Sequence, residues 1–231
     1  MSMLEVVIGW LAPTECLGCG NEGSPLCVGC NTSEIIPFGE RCWRCGALAN
    51  RSKTCPSCRR QNSPNYVWIS TDYEGLAKKL VQKLKFSHQR AAAESISGIM
   101  VETFLSQNSA TQLAAKNYLL VPVPTATARV RQRSFDHTDL LSRAISRGLG
   151  LDASSAVYRT GQTKQVGANR AQRVAQVKGS YFVKDPSLIN GRNVLLIDDV
   201  VTTGATISEV AKVLRAAGAR SVDALIFAKR L

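Results

Sequence analysis

Long apolar stretches are missing from this chain of 231 residues, and so are cysteines after residue 58. No apolar run approaches the length that a membrane-spanning helix needs, so we expect no membrane span and a soluble protein. The first eleven residues are apolar but contain Glu5, and they lack a basic leader and a cleavage site. We therefore expect a short packing helix there, not a secretory signal.

Aromatic residues make up only 6% of the chain, so platforms for stacking nucleic-acid bases are scarce. No stretch defines a hood over a nucleobase either. The formal net charge is +12, and two zinc sites with four thiolates each would leave about +8. Up to residue 62 there are 6 basic against 5 acidic residues, and beyond it 23 against 12. Any contact with nucleic acid would therefore depend on charge and on the second part of the chain.

The eight cysteines form four C-x-x-C pairs at the front of the chain. This shift in composition predicts a boundary, with a double zinc ribbon at residues 1–62 and a second domain at residues 63–231. Two of the pairs, Cys16/Cys19 and Cys42/Cys45, are each followed by glycine and by a further pair, so the segment is a short internal repeat.

A C-x-x-C turn presents two sulfur atoms, and two such turns make a tetrahedral zinc site. Sequential pairing gives two sites, Cys16/Cys19/Cys27/Cys30 and Cys42/Cys45/Cys55/Cys58. Interleaved pairing stays open. Disulfides or redox-active thiols are the alternatives, but the missing secretory leader and the absence of a leftover cysteine favour zinc. The ribbons either stabilise the fold and dock a partner or contact nucleic acid through their arginines.

Residues 194–206, V-L-L-I-D-D-V-V-T-T-G-A-T, carry the strongest functional signal. Their first four residues are typical of a strand buried on both faces. Asp198 and Asp199 follow at the strand end, which is the ligand-binding edge of a parallel sheet. The residues that then open a helix are small or hydroxylated: Thr202, Thr203, Gly204, Ala205 and Thr206. A helix start of this kind binds a phosphate through free N–H groups and hydroxyls.

These residues resemble the phosphoribosyl pyrophosphate (PRPP) signature of type I phosphoribosyltransferases. The resemblance implies that Val200 and the loop of residues 202–206 bind PRPP, with its 5-phosphate on the loop. It implies that Asp198 and Asp199 hold the ribose hydroxyls, and that Mg²⁺ bridges ribose and pyrophosphate oxygens. Without this resemblance, a turn with a helix cap would explain the two acids.

A second anionic pocket is predicted beyond residues 118–123, which we expect to be the first strand of the parallel sheet. Pro122-Val123-Pro124-Thr125 ends that strand and leads into Arg129, Arg131 and Arg133. The resemblance implies that these arginines stabilise negative charge at the pyrophosphate and that, together with Asp198 and Asp199, they are the catalytic residues. A helix capped at Asp136 or Thr138 follows, and residues 160–179 form either a basic lid or an ordinary exposed loop.

Over nearly its whole length the chain resembles the competence protein F (ComF) family. Besides the cysteine pairs and the PRPP-like loop, the pieces that carry the resemblance are Tyr73-Glu74-Gly75-Leu76, Lys83-Leu84-Lys85-Phe86, Val121-Pro122-Val123-Pro124, Arg133-Ser134-Phe135, and Arg159-Thr160 with Gln165 and Arg173. The resemblance implies an α/β protein, a parallel-sheet type I phosphoribosyltransferase fold preceded by a small zinc-ribbon domain. It also implies a cytoplasmic protein of natural transformation.

The chain departs from the family pattern at two places. The family usually has Arg-Gly-Phe-Asn-Gln where this chain has Arg133-Ser134-Phe135-Asp136-His137, and Gln176 stands where the family has asparagine. The contacts that the family resemblance would imply for residues 134–137 and 176 are therefore in doubt. The PRPP-like loop of residues 202–206 does not depart from the family pattern.

Three hypotheses follow from the resemblance. The first is a phosphoribosyltransferase with an unidentified acceptor, in which the protein positions PRPP and stabilises an oxocarbenium-like sugar without a protein nucleophile. The second is a module that senses PRPP and grips single-stranded DNA during uptake. The third is a scaffold whose zinc ribbons dock a competence helicase. The sequence does not give the acceptor, the oligomeric state or the protein partner.

Overall fold

The structure is a computed structural model that describes residues 14–86, 90–125, 130, 135–160 and 177–230. In this part of the chain the helices are α1 (Val28–Glu34), α2 (Gly75–Phe86), α3 (Arg90–Gln107), α4 (Ala110–Lys116), α5 (His137–Leu149) and α6 (Ala205–Ala216). The strands are β1 (Val67–Asp72), β2 (Leu119–Pro122), β3 (Val157–Arg159), β4 (Tyr181–Val183), β5 (Asn193–Val201) and β6 (Ser221–Lys229).

Four strands form a parallel sheet in the order β1-β6-β5-β2. The predicted fold class, a parallel α/β sheet behind a cysteine-rich front segment, is confirmed. The prediction that residues 118–123 are the first strand of this sheet is wrong, because β1 precedes them and pairs in parallel with β6. Which run of residues joins a sheet depends on partners far along the chain, and such partners cannot be read locally.

Each face of the sheet carries its own apolar core. On one face, α2, α3 and α5 pack against Leu195 and Ile197 of β5. On the other face, α6 packs against Val194 and Leu196. Because side chains of a strand alternate between faces, the continuous apolar run of β5 supplies both cores.

The cysteine-rich segment contributes to both of these cores. Leu26 and Ile35 join the face with α2 and α3, whereas Phe38 and Trp43 join the face with α6. The two halves of the chain therefore share apolar contacts, and the predicted domain boundary at residue 62 stays a prediction.

A second, two-stranded antiparallel sheet is formed by β3 and β4. The ring of Tyr158 stacks on that of Phe182, with 5.5 Å between the centroids. None of the described helices is both long and apolar enough to cross a membrane.

A buried carboxylate ties the amino ends of the strands together. Asp223 at the start of β6 is fully buried and accepts hydrogen bonds from the hydroxyl of Tyr118 and from the backbone N–H of Tyr66. Lys116 Nζ lies 3.0 Å from Asp223 Oδ2. Charge and hydrogen bonds together make the burial of this carboxylate tolerable.

Candidate functional site

The candidate site lies where β2, β5 and β6 reach their carboxyl ends. Pro122 pairs with Ile197, and the next residue, Val123, donates its N–H to Ile197 O at 2.9 Å. The turn after β2 is thereby held beside Asp198. In an open parallel sheet this edge is where ligands bind.

The two aspartates remain inside the strand and do not begin a loop. Asp198 pairs with Ile226 of β6, and β5 continues to Val201. Only 9% of Asp198 and 4% of Asp199 is exposed. Because side chains alternate along a strand, the two carboxylates lie on opposite faces of the sheet. The structure therefore places them at the predicted edge, but largely covered.

Asp199 is held by two basic side chains from other elements. Lys85 at the end of α2 forms an ion pair with Asp199 Oδ2, and His137 Nε2 at the start of α5 lies 3.6 Å from the same oxygen. Burial raises the pKa of Asp199, but Lys85 and then His137 outweigh it and hold the pKa below its usual range. Asp199 is therefore an ionised carboxylate with fixed partners.

Asp198 has the opposite environment. Burial and, after it, the charge of Asp199 raise the pKa of Asp198 well above its ordinary value. Its Oδ1 accepts the backbone N–H of Asp199 at 2.9 Å. Two neighbouring carboxyl groups therefore have pKa values shifted in opposite directions, that of Asp198 upward and that of Asp199 downward. Such pairs are often found at functional sites.

The loop of residues 202–206, which we call the phosphate loop, is fixed from both ends. Lys229 at the end of β6 donates to Thr202 O at 2.6 Å. The hydroxyl of Thr203 accepts the N–H of Ala205 at 3.3 Å. Gly204, the N-cap residue of α6, has a φ of 73° and no side chain with which to cap the helix. The first-turn N–H groups of α6 other than that of Ala205 can therefore serve an anion.

Asp136 organises the turn after β2. It caps α5 by accepting the N–H of Thr138, as predicted, and it also accepts the N–H and the hydroxyl of Thr125. Asp136 thus connects the turn after β2 to α5. This places His137 directly beside Asp199.

The predicted pyrophosphate arginines, Arg129, Arg131 and Arg133, lie outside the described residues. The same holds for residues 161–176 of the predicted basic lid and for the predicted helix at residues 1–11. Their assigned roles stay predictions.

The eight cysteines form two clusters in sequential order. Cys16, Cys19, Cys27 and Cys30 form the first cluster, and Cys42, Cys45, Cys55 and Cys58 the second. In each cluster all the ligand atoms lie within 4.8 Å of one another. Four sulfur atoms at this spacing fit a tetrahedral zinc ion.

The two clusters repeat one backbone turn. Gly20 donates to Cys16 O and Gly46 to Cys42 O, at 2.9 and 2.8 Å. Backbone N–H groups, first that of Cys19, lower the pKa of the Cys16 thiol to about 6. A hydrogen bond from Ser57 lowers that of Cys55 to about 6 as well. The pKa of Cys30 is raised to about 12, first by its hydrogen bond with Cys27, and burial raises that of Cys58 to about 12. The thiolate, which is the form that binds metal, is therefore favoured at Cys16 and Cys55. With four sulfur ligands no coordination position is left open, so a zinc ion here would stabilise the fold.

Three residues of the site were not assigned a role from the sequence: Lys85, His137 and Trp43. Lys85 belongs to one of the sequence pieces that resemble the family, and His137 is one of only two histidines. Each residue therefore gave a weak indication of a functional role. Trp43 lies between two cysteines and is fully buried against Gly204. Their roles depend on contacts between distant parts of the chain.

Comparisons with known proteins agree with this arrangement. A protein-family model described as "Phosphoribosyl transferase domain" matches residues 97–231. The chain is 31% identical to DNA utilization protein YhgH of Escherichia coli (strain K12) over 186 residues, which are 79% of this chain and 81% of that protein. It is 28% identical to Competence protein F of Haemophilus influenzae over 204 residues, 86% and 87% of the two chains. With Competence protein ComFC of Bacillus subtilis the identity is 25% over 201 residues, 82% and 77% of the two chains.

Proposed function

Because the chain belongs to the ComF family and carries a phosphoribosyl transferase domain, we propose that it binds PRPP with Mg²⁺ and acts in DNA uptake. The names of its relatives refer to competence and to DNA utilization, which supports the second part of the proposal. The proposed place of action is the cytoplasm.

One observation carries the proposal of PRPP binding. The start of α6 at Gly204, a residue without a side chain to cap the helix, follows closely after the strand that holds Asp198 and Asp199. A phosphate on the N–H groups of α6 would place the attached ribose beside this strand end. Carboxylates accept hydrogen bonds from a diol, and carboxylate and hydroxyl oxygens are ligands that Mg²⁺ prefers.

The chain's own residues would have distinct tasks. The loop from Thr202 to Thr206 holds the 5-phosphate, and Lys229 fixes the position of that loop. Asp199, ionised and oriented by Lys85, accepts from a ribose hydroxyl. Bound Mg²⁺ supplies positive charge at the pyrophosphate. Charge stabilisation by Arg129, Arg131 and Arg133 completes the proposed site.

Isothermal titration calorimetry with Mg²⁺ and PRPP tests the binding. We expect the wild type to bind and the double variant Asp198→Asn, Asp199→Asn to lose binding while keeping its zinc content and its fold. Asp152→Asn is the matched control, because the side chain of Asp152 is 81% exposed. Equal affinity of the wild type and the double variant would eliminate the proposed site.

Transfer of the phosphoribosyl group is a separate proposal. Isotope-labelled PRPP mixed with the protein and candidate bases or nucleic acids should release pyrophosphate only when the right acceptor is present. If PRPP binds and no acceptor produces release, the site is a PRPP sensor and not a transferase.

Single-stranded DNA binding is a second candidate function, favoured by the basic surplus of 23 against 12 residues after residue 62. Contacts with several phosphates would make affinity fall steeply as salt rises. Affinity for an oligonucleotide should therefore be measured over a range of salt concentrations. Binding that is absent, or that does not change with salt, would remove this candidate.

A docking role of the cysteine clusters is favoured by apolar side chains on their surface. Val28 is 84% and Leu48 is 90% exposed. The proposed partner is a competence helicase. If replacing Cys42 and Cys45 leaves a pull-down of that helicase unchanged, the docking proposal is wrong.

A further inference from the structure

The turn between the first two ligands of the second cysteine cluster packs directly on the phosphate loop. Trp43 lies in this turn, between Cys42 and Cys45, and its side chain is fully buried. Its Nε1 donates to Thr54 Oγ1 at 2.9 Å, and that hydroxyl donates to Pro64 O at 2.7 Å. The indole ring is therefore held in one orientation by Thr54, which is itself held by Pro64.

The ring leaves room for a glycine and for nothing larger at the start of α6. A Cβ atom at Gly204 would lie 3.1 Å from Trp43 Cε3 and would overlap with Cζ3 and Cη2 of the same ring. Gly204 also has a φ of 73°, which other L-residues rarely adopt. The indole thus sets how far the backbone of the phosphate loop can move toward the front segment.

Arg44, the next residue, contacts the helix that follows the loop. Its Nη2 donates to Ser208 Oγ at 2.9 Å, and its guanidinium lies 4.7 Å from the centroid of the Trp43 ring. Its guanidinium adds positive charge close to the positive end of this helix, and both would attract an anion at the helix start. Arg44 can therefore support an anionic ligand at the loop.

The first cluster has different neighbours. At the corresponding turn Leu17 accepts a hydrogen bond from Lys79 of α2, and Gly18 lies close to Leu76 of the same helix. In the described structure these contacts of the first turn are to α2, whereas those of the second turn are to the phosphate loop and α6. Of the two clusters, the second is therefore the one whose turn can affect the position of the phosphate loop.

We propose that Trp43 and Arg44 are positioning residues of the phosphate loop, and that metal in the second cluster controls the loop's affinity for a phosphate. Cys42 and Cys45 flank both residues, so four-sulfur coordination fixes the turn that carries them. This inference rests on the proposed PRPP site.

Hydrogen exchange of the backbone amides of Ala205 and Ser208, which donate to Thr203 Oγ1 and to Gly204 O, tests the positioning without any ligand. In Trp43→Ala we expect faster exchange at these residues, whereas Trp43→Phe, which keeps an aromatic ring, should restore slow exchange. Leu48→Ala is the matched control, since it removes an exposed side chain from the same segment. Unchanged exchange in Trp43→Ala would overturn the inference.

Binding of ribose 5-phosphate, which carries the phosphate alone, then tests the effect on affinity. Trp43→Ala should raise the Kd at least roughly tenfold, and Arg44→Ala should raise it as well. A Cys42→Ser, Cys45→Ser variant should lose zinc from one cluster and show the same loss of affinity. Wild-type affinity in these variants would refute the control of the loop by the second cluster.

A double-mutant cycle separates direct contact from general destabilisation. Gly204→Ala should speed loop exchange less in a Trp43→Ala background than in the wild type, because the overlap with the ring is then gone. Additive effects would contradict direct contact. If wild-type protein binds neither ribose 5-phosphate nor PRPP, the proposed function fails, and the exchange data alone decide on the positioning.

Discussion

Replacing Lys85 by methionine would leave a buried charge without its main partner. The side chains of Lys85 and Asp199 are 22% and 6% exposed, and the two residues form an ion pair. Methionine has a similar length and keeps the apolar contacts of the lysine stem. The variant therefore removes the ammonium group and little else.

The expected cost follows from the burial of Asp199. Removing one partner of a buried ion pair typically costs about 3–5 kcal/mol. Lys85 is partly exposed and His137 Nε2 remains 3.6 Å from the carboxylate, so we expect the lower end, about 3 kcal/mol. For a chain of this size that corresponds to a fall in Tm of about 6–12 °C.

The pH dependence has a definite sign. Lys85 helps to hold the pKa of Asp199 below its usual value, so the ion pair contributes its full stability above the pKa of an unfolded aspartate. That contribution is lost as pH falls toward the folded pKa. Acid also releases metal from cysteine thiolates, so a neutral second variant is a cleaner test than acid.

Thermal unfolding at pH 7 with saturating zinc measures the effect. Lys85→Met should be clearly less stable than the wild type, and adding Asp199→Asn should recover most of the loss. Lys78→Met, at an exposed position of the same helix, is the control. If Lys85→Met costs the same with aspartate and with asparagine at position 199, the ion pair is not the cause and the reasoning fails.

Further predictions concern the other buried groups. Because the pKa of Asp198 is raised, folding is opposed more strongly as pH rises from the pKa of an unfolded aspartate toward the folded pKa, so Asp198→Asn should raise the Tm more at pH 7 than at pH 5; an equal shift would contradict this. Tyr118→Phe removes a donor to the buried Asp223 and should cost about 1.5–3 kcal/mol in urea unfolding, and a smaller loss would mean that Lys116 suffices. Elemental analysis should find two zinc ions per chain, and one after serine replaces two ligands of the second cluster.

The central strand and the phosphate loop could be predicted because their information is local. An unbroken apolar run, two acids, and a set of small hydroxylated residues stand next to each other in the sequence. Each piece needs only its neighbours to adopt its conformation, and Gly204 does adopt the left-handed φ that such a turn requires. The grouping of the cysteines was open in the sequence, and the structure resolves it in sequential order.

The partners of Asp199 could not be predicted, because they come from helices far away in the chain. Nothing near Lys85 or near His137 indicates that either side chain faces a carboxylate. The prediction treated the two acids as the end of a strand, whereas ladder pairing with β6 continues through Asp198 to Val201. Buried acids can stay in a strand only when such distant bases compensate them.

The short elements were missed for a different reason. Strand β3 has three residues, and α1 and α4 have seven each, so none shows a full period of apolar side chains. One signal for α4 was nevertheless present. Ser109 and Gln112 form a capping box, whose spacing can be recognised in a sequence.

The sharing of apolar contacts between the front segment and the sheet has a consequence for the cell. When zinc is scarce, the front segment cannot unravel alone, because Phe38 and Trp43 belong to the same apolar core as strands β1, β2 and β5, and their departure would expose part of that core to water. Exposed patches of this kind attract proteases and other unfolded chains. The abundance of the whole protein would then follow the metal supply, and a starved cell would contain fewer intact copies instead of many half-folded ones.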